Sequence, residues 1–202
     1  MNKTGHLRLP ALLAAILIGL GLNAQPWPKD INGNVRDAVA QLSNGQRYGF
    51  DEWTQYAPAA AYAALGFIPG IEHESSLVKR GCTFIGGFGF LAATTLLTKE
   101  IAGEMRPDGS GYDSFPSGHS GKAFLGAELV RMEFGNGWGA AAYGIAGTTA
   151  FMRIWNDKHW LTDVVAGAAL GILSAHVGDW VCSYISFDPV SQSPLLALNI
   201  TF

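Results

Sequence analysis

Four stretches of this chain carry no Asp, Glu, Lys or Arg: Thr54 to Ile71, Gly81 to Thr98, Phe134 to Met152 and the shorter Val164 to Gly178. Eighteen residues of helix rise about 27 Å, close to the ~30 Å of a bilayer core, so windows of this kind span a membrane or nearly do. A further segment, His119 to Glu133, is helical in pattern but contains Lys122, Glu128 and Arg131, so it does not face lipid alone. The expected fold is all-α, an antiparallel bundle of about five core helices, transmembrane. Gly- and Ala-rich runs such as Ala57 to Gly66 fit a buried helix of a soluble bundle equally well. Composition favours the membrane, because only 14% of residues are charged where a soluble domain carries about 25%.

The chain has room for one domain, spread over 202 residues with no repeat or low-complexity tract. A net charge of -3 leaves no broad basic surface, which excludes nucleic acid as a partner. Two cysteines, Cys82 and Cys182, are too few for a four-ligand metal site and are read either as a pair or as buried thiols. At the N-terminus Lys3, His6 and Arg8 precede the apolar run Leu9 to Leu22, then Asn23, Ala24 and Gln25. That is the order of an export signal, residues 1–24 with cleavage after Ala24, or else of an uncleaved first membrane helix. Residues 25–53 follow as a polar segment, with Val35, Ala38, Val39 and Leu42 at helical spacing on a surface or interface helix. The domain proper is placed at 54–182, and the tail 183–202 has no assigned role. Nothing in the sequence assigns an oligomeric state.

Three short blocks carry chemistry. Lys99 and Arg106, the latter followed by Pro107, lie seven apart, about 700° of helical rotation, so both cations return to nearly one face. Pro107 disfavours helix at the residues before it, which places Arg106 where the chain leaves the helix. The second block, Pro116-Ser117-Gly118-His119, reads as a helix start: Ser117 caps, and the free amides of Gly118 and His119 suit an anion such as phosphate. In the third, Arg153 precedes His159 and Asp163, and a carboxylate four residues after a histidine can hold one ring nitrogen while the other stays free. If the apolar windows run antiparallel, all three blocks fall at one end of the bundle. The opposite end carries Lys79, Arg80 and Arg131, the cationic bias of cytosolic loops, which turns the blocks away from the cytosol. His73 and His176 are read as structural, and Asp108, Tyr112, Asp113 and Ser114 as a solvated loop, with contact to a substrate head group as the alternative.

The order Lys99-x6-Arg106-Pro107, Pro116-Ser117-Gly118-His119, Arg153-x5-His159-x3-Asp163 resembles the type 2 phosphatidic acid phosphatase superfamily, which also contains bacterial acid phosphatases and vanadium haloperoxidases. The resemblance covers about Thr54 to Trp180, and the run His159 to Gly167 is more similar to the membrane lipid-phosphatase branch. It implies His159 as nucleophile, Asp163 as the group that orients it, and His119 as the acid that protonates the leaving oxygen. It implies Lys99, Arg106, Arg153, Ser117 and Gly118 as phosphate ligands, with no metal and no cofactor. One position departs from the pattern: Met152 stands where the family usually has a serine.

The function expected is a membrane phosphatase of lipid phosphomonoesters or diphosphates, acting through a phosphohistidine from the periplasmic side of a bacterial inner membrane. Phosphatidylglycerol phosphate, undecaprenyl diphosphate and a lipid A head group all fit. A soluble periplasmic acid phosphatase, a vanadium-dependent haloperoxidase and a silent lipid-phosphate binder are the alternatives.

Overall fold

The computed structural model describes residues 29–184, and they are helical with no strand among them. The expected export signal and all but the first residues of the tail lie outside the described residues. Six helices follow in order: α1 Lys29–Ser43, α2 Asp51–Thr54, α3 Ala57–Leu65, α4 Leu77–Ala102, α5 Gly118–Trp155 and α6 Leu161–Tyr184.

Helix α4 starts at Ser76, whose side chain accepts the Lys79 amide, and stops at Gly103, whose backbone enters the left-handed region at φ 53 and closes on the Lys99 carbonyl. Its outer face is Leu77, Val78, Ile85, Leu96, Leu97 and Ile101, each at least 56% exposed. Such a surface is unfavourable in water and natural against lipid. α4 and α6 are the two described helices long and apolar enough to cross a membrane, with mean hydropathy 1.4 and 1.5.

The 38 residues of α5 are two antiparallel arms, not one rod. The Phe124 and Tyr143 rings lie 5.7 Å apart, whereas nineteen residues of straight helix would separate them by about 28 Å. The reversal is at Gly135, φ 84 and ψ 177, a conformation essentially reserved to glycine. The sequence reading of two helices, His119 to Glu133 and Phe134 to Met152, is therefore correct in substance. Across the reversal, Glu128 accepts Arg131 through two bonds of 2.7 Å, Tyr143 at 2.6 Å and His176 at 2.7 Å. His176 has the structural role expected of it.

Helix α6 packs closely on both neighbours through small residues. A Cβ at Gly171 would overlap the Gly121 carbonyl, and one at Gly167 would overlap the Ser117 carbonyl. Close backbone approach through glycine is a frequent device for helix association within membranes.

Two expectations are corrected. Thr54 to Ile71 is not a spanning helix: α3 has nine residues, about 13.5 Å, and the chain turns after it, with Gly70 at φ 87. Arg80 is not a loop cation. It is 4% exposed, donates to the Tyr62 carbonyl and lies 5.1 Å from the ring centres of Tyr62 and Phe134, so it braces α3 against α4. Cys82 and Cys182 are free thiols.

Helix α1, read in the sequence as a surface or interface helix, packs on the bundle through its apolar side. Val35 and Val39 pack on Ala150, Ile154 and Val164, Asn32 donates to Thr162 at 2.9 Å, and Arg36 reaches Asp157 at 3.0 Å. It lies across one end of the bundle and brings α2 with it.

Candidate active site

That end of the bundle is where the three blocks meet. Lys99 is in the last turn of α4. The following loop is tied to itself by Arg106 N to Gly111 O and Ser114 N to Glu104 O, both 2.9 Å. It is tied to the loop before α6 by Lys158 to Asp108 at 2.7 Å and Trp160 Nε1 to Met105 O at 2.9 Å. Ser117 caps α5, and its amide donates to the Asp163 carbonyl at 3.0 Å. The fit of Gly167 beneath Ser117 makes this junction possible, and so holds the second block on the first turn of the helix that carries the third.

His159 and Asp163 are 2% and 0% exposed. Asp163 Oδ2 faces His159 Nδ1 at 3.5 Å and accepts Ser114 Oγ at 2.5 Å and the Trp160 amide at 2.9 Å. Nδ1 is thus turned to the carboxylate, and Nε2 makes no hydrogen bond to a described residue. Burial pushes the His159 imidazole below its ordinary value, against the opposing pull of Asp163, so the ring is neutral with a free lone pair at neutral pH. The separation is longer than a formed hydrogen bond, and catalytic contacts of this kind commonly tighten when substrate binds.

The cationic groups surround this pair. Arg153 is 3% exposed. Its Nη1 donates to Asp51 and, at 3.2 Å, to Glu52 Oε1, while its buried Nε has no acceptor. His119 Nε2 lies 3.0 Å from Glu52 Oε2. Arg106 makes a two-point contact with Asp113, at 2.8 and 2.9 Å, and Lys99 donates to the Asp113 carbonyl. Lys99 and Arg153 both act electrostatically on the His159 ring. A cleft of about 200 Å³ opens beside Arg153, with Glu52, Tyr48 and Lys158 in its wall. Lys99, Arg106, Ser117, Gly118, His119, Arg153, His159 and Asp163 therefore all lie at one end. Among the described residues no group of three or more His, Cys, Asp or Glu is placed to hold a metal ion.

Five residues of this site lie outside the three blocks read in the sequence. Ser114, read as part of a solvated loop, is 0% exposed and bonded to Asp163. Its only sequence signal was its place two residues before the second block. Glu104 lies against Asp163, and burial, followed by the charge of Asp163, raises its carboxyl to about 7. Asp51 and Glu52 come from α2, 102 and 101 residues from Arg153, and no spacing pattern links them to the blocks. Asp113 has 54% of its side chain exposed, as a solvated loop implies, yet pairs with both Arg106 and Lys99. Met152 is buried and brings no hydroxyl.

This all-helical bundle gathers two histidines, a buried carboxylate and three cations at one end, an arrangement suited to an anion such as phosphate. A family model described as the PAP2 superfamily matches residues 93–186, which include all three blocks. The part of the chain that carries the three blocks thus matches that superfamily. Over 167 residues, 81% of this chain, it is 42% identical to the lipid A 1-phosphatase of Porphyromonas gingivalis, and it spans 38% of the length of that protein. Two solved structures share the fold. Aquifex aeolicus LpxE aligns with TM-score 0.53 and 18% identity over 70% of this chain and 92% of its own. The first transmembrane PAP2-type phosphatidylglycerolphosphate phosphatase from Bacillus subtilis aligns with TM-score 0.57 and 19% identity over 89% and 98%.

Proposed function

We propose that this chain is a membrane phosphatase that removes phosphate from a lipid phosphate, with lipid A phosphorylated at its 1 position as the substrate class. The observation that carries the reading is the arrangement of His159: its Nδ1 faces a wholly buried carboxylate, its Nε2 is free, and fixed cations surround it at the end of an apolar bundle. The 42% identity to a lipid A 1-phosphatase supports the choice of lipid. Periplasmic orientation is part of the proposal and rests on reading residues 1–24 as an export signal or first membrane helix and on Lys79 and Arg131 at the opposite end.

Chemically, the Nε2 lone pair attacks phosphorus and the phosphorus–oxygen bond to the lipid breaks. His119, whose imidazole burial and then Arg153 push down to about 4 in the resting site, takes up a proton as the phosphate dianion enters and gives it to the departing oxygen, which leaves as the lipid hydroxyl. Asp163 stabilises the imidazolium character that grows on His159. Neutral His119 then takes a proton from water, whose oxygen attacks the phosphohistidine and releases inorganic phosphate and free His159. Lys99, Arg106 and Arg153, with the Ser117 hydroxyl and Gly118 amide, neutralise the non-bridging oxygens, where preorganised charge has its largest effect.

The test is phosphate release in detergent from lipid A, phosphatidylglycerol phosphate and undecaprenyl diphosphate, with His159→Ala and His119→Ala beside the parent. Turnover of lipid A that vanishes in His159→Ala is the expected result. Release from none of the three lipids, or release that survives His159→Ala, contradicts the proposal.

A further inference from the structure

Four of the groups assigned to the transferring phosphate and its leaving oxygen, His119, Arg153, Arg106 and Lys99, are engaged by two exposed carboxylates, beside the buried Asp51 that also holds Arg153. Glu52 bridges the first pair, with Oε2 3.0 Å from His119 Nε2 and Oε1 3.2 Å from Arg153 Nη1. Asp113 bridges the second pair, through Arg106 Nε at 2.8 Å and Nη2 at 2.9 Å, with Oδ2 4.0 Å from Lys99 Nζ. Each carboxylate presents two oxygens to two donors, as two oxygens of a phosphate would.

These acids differ from the others of the site. Asp51 and Asp163 have 1% and 0% of their side chains exposed and are fixed parts of the frame. Glu52 and Asp113 have 58% and 54% exposed, so each can swing into water without leaving a buried charge behind. The His119 contact, more than any other, holds Glu52 below the usual carboxylate range, and the Arg106 contact does the same for Asp113, so both stay ionised at neutral pH. Without them the three cations would repel one another; with them still in place, an entering phosphate dianion would meet two negative groups. Arg153 also keeps a buried Nε donor with no acceptor, so the site offers more donors than the two carboxylates fill.

We propose that Glu52 and Asp113 are the resting occupants of the phosphate place, and that a phosphate ligand binds by exchange for them. They set the affinity of the site and take no part in bond making. The proposal rests on the reading of these residues as a phosphate site.

The experiment is the Kd of inorganic phosphate for the full chain in detergent, by calorimetry, for the parent, Glu52→Gln, Asp113→Asn and the double variant. Releasing one exposed carboxylate from its cations should tighten binding about two- to tenfold. The double variant should multiply the two gains, because the acids hold different groups. Substrate KM should fall in the same direction, whereas mere damage to the fold would weaken binding and raise KM. A Kd unchanged or weakened in either single variant overturns the exchange. Arg106→Gln separates the two levels of the argument: it must weaken phosphate binding if the site is correctly assigned. Weakening in Arg106→Gln without tightening in the acid variants rejects the exchange and leaves the site standing. No effect of Arg106→Gln rejects both.

Discussion

Ser114→Ala removes one oxygen atom and leaves the carbon frame intact, so it tests one short hydrogen bond to Asp163 together with a longer contact to His159 Nδ1 at 3.5 Å. The short bond runs from Oγ to Asp163 Oδ2 over 2.5 Å, between two residues that are 0% exposed. The same oxygen accepts the Trp160 amide at 2.9 Å, and Oδ1 has no hydrogen-bond partner. The carboxylate would thus lose its shortest hydrogen bond, in a setting where water cannot replace it. A hydrogen bond to a buried charge contributes about 1.5–3 kcal/mol, and each 1.36 kcal/mol is tenfold in rate. If the whole of it supports the transition state, kcat falls about 10- to 150-fold; any share already present in the resting enzyme appears as a lower melting temperature instead. KM should move little, because Ser114 meets Asp163 and His159 and not the cations. The assay is steady-state phosphate release from lipid phosphate in detergent, with melting followed in parallel. A kcat within twofold of the parent together with an unchanged melting temperature would refute the argument.

Gly167→Ala should drive the second block away from the third, because the new Cβ would overlap the Ser117 carbonyl; a loss of turnover greater than tenfold is expected, and near-parental kcat would show that the junction can relax. Asp51→Asn leaves the buried Arg153 short of its main counter-charge, a change that costs about 3–5 kcal/mol when such a pair is broken; thermal unfolding in detergent should show a pronounced drop, and an unaltered transition would contradict it. Glu104 gives a pH prediction. Its carboxyl is raised to about 7 when folded and titrates near 4.3 when unfolded, so the folded chain binds the extra proton between those values. Its contribution to stability is complete below about 4.3 and is lost as pH rises to about 7. Glu104→Gln should therefore gain melting temperature relative to the parent at pH 8 compared with pH 5, and equal differences at both values would remove Glu104 from that role.

The parts of this account visible in the sequence are those encoded by local rules. Helical spacing and the absence of charge gave the α4 and α6 helices, and cap and histidine–carboxylate spacing placed His119, His159 and Asp163 at helix starts. Antiparallel order then brought Lys99, Arg106 and Arg153 to the same end. What escaped depends on tertiary packing. Gly135 reverses α5 in a window that carries several other glycines, and no pattern distinguishes it. Asp51 and Glu52 reach Arg153 only because α1 docks through Val35 and Val39, which a polar, amphipathic stretch does not announce. Ser114 sits in a loop of polar residues, where burial is set by the loop's closure on Glu104 and not by composition. The window from Thr54 misled because absence of charge permits a membrane helix without requiring one, and the turn after α3 cuts it short.

The most direct measurement of the central claim is a rapid quench of the enzyme with lipid phosphate carrying labelled phosphorus, followed by identification of the labelled residue. The account predicts transient, acid-labile, alkali-stable label on His159 that forms and decays at rates consistent with turnover and is lost in His159→Ala. Full turnover with no protein-bound label at any time, or label on another residue, would contradict it.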